Sequence, residues 1–230
     1  KNRQGEPMPF LIQKSDGGYN YASTDITALK HRIEEEKADR IIYVVDAGQS
    51  GHFQLLFSSA KEAGYLENSP VELDFVPFGL VLGEDGKKYK TRSGENEKLI
   101  DLLETAISKS KALLNDRKVD WNQDEIDQSA KVLGIGAVKY ADLSCNRIGD
   151  YTFSYERMLR FEGNTAAFIL YAYVRIQSIL KKSNQTANIT ACSTLSHQSE
   201  IDLMLKINQF AETIDKVAKD LMPNRLCDYL

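Results

Sequence analysis

Apolar and polar positions alternate in two rhythms along the first third of the chain. From Thr24, a residue suited to cap a helix, Ile26, Leu29 and Ile33 recur at three- and four-residue spacing and predict an amphipathic helix through about Lys37. Ile41-Ile42-Tyr43-Val44-Val45 breaks that rhythm: a continuous β-branched run predicts a strand buried on both faces of a parallel sheet. Helical spacing returns from about Gly51 to Gly64, and Val71 to Phe75 reads as another strand. Strand, helix and strand in that order predict a right-handed crossover unit, with ligand chemistry expected beyond the C-terminal ends of the strands. Ahead of these elements, Phe10-Leu11-Ile12 reads as a short strand. It stops at the turn cluster Ser15-Asp16-Gly17-Gly18, whose glycines reach positive φ at little cost.

The pattern changes past Leu80-Val81-Leu82. Gly83-Glu84-Asp85-Gly86 predicts a tight turn, and Lys87-Lys88-Tyr89-Lys90-Thr91-Arg92-Ser93-Gly94 is strongly basic with no apolar period. From Glu97 onward nearly everything has helical spacing. Leu99, Leu102, Leu103, Ala106 and Ile107 form one stripe, and Ile201, Leu205, Phe210, Ile214, Val217 and Leu221 a late one. Asn184 to Ser199, rich in Asn, Thr, Ser and Gln, reads as a loop or linker. The expected architecture is an α/β sheet followed by an all-α region, in two modest domains that 230 residues can support.

Composition narrows the class and leaves the chemistry open. An apolar fraction of 42% and a charged fraction of 27% fit an ordinary globular protein and exclude a disordered or fibrous one. A net charge of −4 argues against a uniformly basic nucleic-acid coat while allowing a local basic patch. Cys145, Cys192 and Cys227 are odd in number, far apart and without a C-x-x-C pair, so neither a disulfide framework nor a zinc site is expected, and a reducing cytoplasm is. No run approaches the roughly 18 consecutive apolar residues of a membrane helix, so no membrane partner is expected. Asn184-Gln185-Thr186 and Asn188-Ile189-Thr190 match the glycosylation sequon but read as ordinary loop residues. A chain that begins at Lys1 without Met is expected to be a piece of something longer.

Three constellations carry candidate chemistry, each with a plainer reading. Tyr21 and Asp25 stand four residues apart near a helix start. Asp25 is either a carboxylate in the first turn, favoured by the helix dipole, or a bidentate acceptor for a planar cation with an aromatic ring beside it. Asp46-Ala47-Gly48-Gln49-Ser50-Gly51-His52-Phe53 follows the β-branched run. Its small residues let backbone approach a ligand, and Gln49 and His52 offer neutral hydrogen-bonding groups, while a capped helix start reads equally well. Lys87, Lys88, Lys90, Arg92 and the more distant Lys98 form the third, either a solvated hairpin tip or a basic loop that meets developing charge on a triphosphate.

Taken together, Lys14 to Asp25, Asp46 to Phe53 and Phe78 to Gly94 closely resemble the class I arginyl-tRNA synthetases in order and spacing. Lys139-Tyr140-Ala141-Asp142-Leu143-Ser144, and Gly163-Asn164-Thr165-Ala166-Ala167-Phe168 through Tyr171 and Arg175, extend the resemblance, with Leu226-Cys227-Asp228-Tyr229-Leu230 a weaker echo. The resemblance implies a Rossmann-like parallel sheet, present as its C-terminal half, ahead of a helical bundle. Residues 1–120 would be catalytic, 121–160 a helical connecting and stem-contact region, and 161–230 an incomplete anticodon-binding domain. It implies ATP-dependent activation of L-arginine to arginyl-adenylate and transfer to the 3′ end of tRNA(Arg), with Mg2+ accompanying ATP and no metal site in the protein. Asp25 and Tyr21 would hold the guanidinium and Gln49 the α-amino end. His52, Phe78, Gly79 and Val81 would line the ATP site. Lys90-Thr91-Arg92-Ser93-Gly94 would be the family's version of the class I Lys-Met-Ser-Lys-Ser loop, making Lys90, Thr91, Arg92 and Ser93 the candidate catalytic residues. Phe168, Tyr171 and Arg175 share one helix face, either a core stripe or, as the resemblance implies, a surface that stacks on anticodon bases. A cytoplasmic monomer with no DNA partner is expected.

The match has departures. No His-Ile-Gly-His element is present, so the chain alone is expected to be inactive. Phe75 stands where many members carry a His, and Phe168 where Tyr is common. Two other functions compete: a non-catalytic RNA- or nucleotide-binding protein on the same scaffold, and a class I synthetase for another amino acid. Arginine-dependent stabilisation separates the first, and preference for arginine over uncharged citrulline the second.

Overall fold

Helix α1 spans Tyr21–Glu34, and its cap is Asn20, four residues ahead of the expected Thr24. Asn20 Oδ1 accepts from the Ser23 amide while Ser23 Oγ accepts from the Asn20 amide, so two otherwise orphaned donors are satisfied reciprocally. The same two side chains also donate to the carbonyls of Leu11 and Ile12. Those carbonyls are therefore engaged by α1, and Phe10-Leu11-Ile12 forms no strand. Only a single antiparallel bridge, Gln13 to Tyr19, closes the turn around Gly17. The computed structural model describes residues 9–67, 70–83, 85–87, 98–117, 120–183 and 195–230. They divide into two compact units, Lys1–Gly79 and Leu80–Leu230.

In the first unit, strand β1 (Arg40–Asp46) pairs in parallel with β2 (Glu72–Phe78), joined through a 3-10 turn (Ala47–Gln49) and helix α2 (Ser50–Glu62). This is the expected strand, helix, strand order. Leu29 and Ile33 of α1, Ile41 of β1 and Ala60 of α2 form the core, with Tyr43, Phe57 and Leu73 against it. Fully buried Leu29 and Leu56 each contribute on the order of 2 kcal/mol. The expectation that β1 is covered on both faces is corrected. Its side chains alternate between faces, Ile41 and Tyr43 meeting the helices while Ile42 (43% exposed) and Val44 (62%) face away. Both helices lie on the Ile41 side, so among the described residues nothing covers the other. Arg40 Nε donates to Asp74 Oδ2 at 2.5 Å across the two strands. That hydrogen bond, with the Asp74 and Glu72 charges, raises the guanidinium pKa against its partial desolvation.

In the second unit, Val81–Leu82 (β3) pairs in parallel with Tyr151–Thr152 (β4), and the Gly86 amide donating to the Gly83 carbonyl makes the expected tight turn. Helices follow: α3 (Leu99–Asp116), α4 (Gln123–Leu143), α5 (Tyr155–Met158), α6 (Ala166–Ser183), α7 (Gln198–Asn208), α8 (Phe210–Asp220) and α9 (Asn224–Tyr229). The late stripe from Ile201 to Leu221 is two helices rather than one, because Gln209 caps α7 before α8 begins. The expected linker over 184–199 ends earlier, with α7 starting at Gln198; residues 184–194, including both sequons, lie outside the described residues. Helices α3 and α4 cross closely at Gly134, where an added Cβ would lie 2.7 Å from the Ile107 backbone nitrogen and 2.8 Å from the Ala106 carbonyl carbon. Leu133, Ala137, Phe153, Met158, Leu159 and Ala167 form the main core beside this crossing. No helix among the described residues is long and apolar enough to cross a membrane.

Candidate functional site

The candidate site of the first unit is built where α1 and α2 meet. Asp25 is the fifth residue of α1, beyond the first turn, which holds no acidic residue. The helix-dipole reading of Asp25 therefore fails: its carboxylate has no free amide to receive. Instead Asp25 Oδ2 lies 2.6 Å from Nε2 of His52, a residue 27 positions later in the first turn of α2. The pair is partly buried, its side chains 37% and 29% exposed, and the imidazole is flanked by Phe10 (ring centroids 5.7 Å apart) and, edge to face, by Phe53 (5.3 Å). Asp25 Oδ1 has no partner among the described residues.

Tyr21, the first residue of α1, is 85% exposed and lies on the same helix face as Asp25. Gln49 is exposed at the junction of the 3-10 turn and α2, and its side chain makes no capping bond. The cap here is Asp46, whose Oδ1 accepts from the Gly48 amide at 2.7 Å. A Cβ at Gly48 would sit 2.8 Å from the same oxygen, so a larger residue there makes the Asp46 side chain shift. Both readings of this segment thus coexist: a capped turn, and an exposed amide carried on it. Behind it, Tyr43, Phe53 and Phe75 pack ring against ring, Tyr43 to Phe53 at 4.9 Å and Phe53 to Phe75 at 5.6 Å. Burial raises the Tyr43 pKa, partly opposed by Arg32, which donates to its hydroxyl at 3.2 Å.

Phe78 ends β2 and is exposed, with Gly79 after it; Val81 begins β3 in the other unit. Lys90, Thr91, Arg92 and Ser93 lie outside the described residues. Among the described residues no group of three or more His, Cys, Asp or Glu side chains converges to hold a metal ion. On α6, Phe168, Tyr171 and Arg175 are all exposed, Tyr171 by 55%, and the helix buries only Ala166 and Ala167. The core-stripe reading of this face is therefore not what the described residues form.

Sequence reasoning missed two features. The direct contact of His52 with Asp25 joins residues treated as separate sites, and it depends on α1 and α2 packing on one side of β1, which no local pattern marks. The second is Tyr140, whose hydroxyl lies within hydrogen-bond reach of Asn164 Oδ1 and of the Cys227 carbonyl at 3.0 Å, one proton serving either acceptor. Burial, then the Cys227 and Asp228 charges, pushes that phenol up to about 12.

The family of class I (R) tRNA synthetases, catalytic domain, matches residues 2–155 of this chain. The chain belongs to the arginyl class I tRNA synthetases. The DALR anticodon binding domain matches residues 169–230 of the same synthetase chain. An arginine–tRNA ligase of Protochlamydia amoebophila is 57% identical over 235 residues, covering 100% of this chain and 40% of that protein. One from Chlamydia felis is 51% identical, covering 99% and 40%. This synthetase chain thus spans about 40% of the length of the curated relatives it matches. The crystal structure of the arginyl-tRNA synthetase from Plasmodium falciparum superposes with a TM-score of 0.80 at 33% identity, over 98% of this chain and 38% of that one. The Thermus thermophilus arginyl-tRNA synthetase gives 0.81 at 21% identity over 96% and 40%, a likeness of fold.

Proposed function

We propose that this chain carries the arginine pocket and part of the tRNA surface of an arginine–tRNA ligase. The observation that carries the reading is the Asp25 carboxylate, held at one oxygen by His52 and unpartnered at the other, with the Tyr21 ring exposed on the same face. A carboxylate so presented matches a guanidinium fork with two charge-assisted hydrogen bonds, and an uncharged isostere leaves it desolvated and unpaired. Gln49 takes the α-amino end, and Phe78 and Gly79 line the ATP site, with Mg2+ arriving on ATP. The arginine carboxylate attacks the α-phosphorus of ATP and pyrophosphate leaves. A terminal hydroxyl of tRNA(Arg) then attacks the adenylate carbonyl and AMP leaves. No covalent enzyme intermediate is needed, so positioning by the pocket and positive charge from Lys90 and Arg92, with Thr91 and Ser93 adjacent in sequence, supply the catalysis.

Phe168, Tyr171 and Arg175 form the tRNA face, two rings for base stacking and one guanidinium for phosphate. Residues 1–120 serve catalysis, 121–160 contact the stem and 161–230 the anticodon arm, in a cytoplasmic monomer. The test is arginylation of tRNA from labelled arginine and ATP by the intact enzyme, beside its Asp25→Ala variant. Arginine-dependent charging that the substitution cripples supports the reading. Tight tRNA binding with no charging by the unsubstituted enzyme leaves the non-catalytic RNA-binding protein as the better account.

A further inference from the structure

We propose that His52 is a positioning residue for arginine recognition, its Nε2–H fixing the Asp25 carboxylate so that Oδ1 and the open side of Oδ2 face the guanidinium. The proposal rests on the reading of Asp25 as the guanidinium acceptor. The torsion that sets a carboxylate's plane is broad and weakly restrained on its own. Asp25 stands past the first helical turn, where backbone amides are spent on the helix ladder, so α1 gives its oxygens nothing to bind. The 2.6 Å contact from α2 is therefore what sets the plane of this carboxylate.

His52 is itself held. Phe10 packs obliquely on its ring and Phe53 meets it edge-on at 89°. Phe53 is buried and stacked in turn on Tyr43 and Phe75, so the imidazole is anchored through a chain of rings to both strands. The anchor is stiff and the donor is aimed.

An imidazole that donates from Nε2 occupies one lone-pair direction of Oδ2. The guanidinium then forms its two parallel bonds on the remaining edge. A permanent cation in the same position would neutralise Asp25 and compete with the substrate for it.

The test measures KM for arginine and for ATP separately in the intact enzyme carrying His52→Gln, His52→Leu or His52→Lys, each checked for fold by circular dichroism and its thermal midpoint. Gln keeps an N–H donor at similar reach, Leu removes it, and Lys replaces it with a permanent charge. Loss of the donor in the Leu variant is expected to raise the arginine KM by about 10–100-fold, the scale of one lost hydrogen bond to a charged group. His52→Lys should raise it at least as much, His52→Gln should stay near the unsubstituted enzyme, and the ATP KM should move by less than about threefold throughout. If the Leu variant does not fold, the contrast between Gln and Lys decides the matter. An ATP KM that rises while the arginine KM stays level would overturn the proposal and place His52 on the nucleotide instead. Equal arginine KM values across folded variants would overturn it as well. Asp25→Ala run in parallel separates the two levels: a crippled Asp25 variant beside indifferent His52 variants refutes only the positioning role, whereas an unaffected Asp25 variant refutes the guanidinium pocket itself.

Discussion

The first unit and helix α6 present their candidate side chains in opposite ways. In the first, residues 27 positions apart are brought to 2.6 Å by two packed helices, behind a stack of aromatic rings. On α6, Phe168, Tyr171 and Arg175 come from consecutive turns of one helix, stand exposed, and owe their arrangement to helical period alone. A pocket assembled from separate elements fails sharply when one member is removed, since the remaining group stays partly buried and unpaired. A one-helix surface loses binding in increments, each side chain contributing without supporting the next.

The largest effect that could break this contrast is at Asp25. Asp25→Ala is expected to lower kcat/KM for arginine by about a thousandfold or more in steady-state charging assays, because a site built around a polar group discriminates steeply against its loss. Structural sharpness has its own test in the second unit, at the α3 and α4 crossing. Gly134→Ala places a methyl against the Ile107 backbone and should cost about 1–3 kcal/mol in denaturant unfolding, since neither backbone can move aside. Tyr171→Ala should weaken tRNA binding by about 1–3 kcal/mol through one lost stacking platform, leaving the unfolding midpoint unchanged. On the same face, Arg175→Ala should lower the salt slope of tRNA binding by about 1. A collapse of tRNA binding on either substitution would show that α6 is as interdependent as the pocket.

The smallest expected effect is at Tyr140. Tyr140→Phe removes the hydroxyl shared between Asn164 and the Cys227 carbonyl and should cost about 1 kcal/mol at neutral pH. Because the folded state holds this proton more tightly than the ordinary phenol value of 10.0, the stability it adds is intact below pH 10.0 and lost as pH rises toward about 12. Tyr140→Phe should flatten the decline of unfolding free energy across that window. Tyr151, also raised by burial and by Asp142, adds to the same decline, and Tyr151→Phe should flatten it further.

Much of the fold was legible because its signals are local. The β-branched run Ile41 to Val45 and the period of Leu29 and Ile33 each mark an element from their own residues. Errors arose where a local signal had a competitor. Thr24 looked like a cap, but Asn20 and Ser23 form a reciprocal pair one turn earlier. Phe10 to Ile12 looked like a strand, but its carbonyls go to those same two side chains. Long-range partners left no trace: β4 pairs with β3 about 70 residues away through a two-residue strand that no periodicity could flag. Which face of β1 is covered was equally unreadable, since a fully apolar run specifies burial without specifying by what. At the site, Tyr21, Asp25, Gln49 and His52 were singled out by residue type and position. Their geometry, with His52 on Asp25 rather than apart from it, required the packing of α1 on α2.

The central claim is that Asp25 is shaped to hold a charged guanidinium, and calorimetric titration of the intact enzyme with arginine and with citrulline tests it most directly. The account predicts saturable binding of arginine, binding of citrulline at least about a hundredfold weaker, and loss of that preference in Asp25→Ala. Equal affinity for the two ligands, or an arginine preference that survives Asp25→Ala, would contradict it.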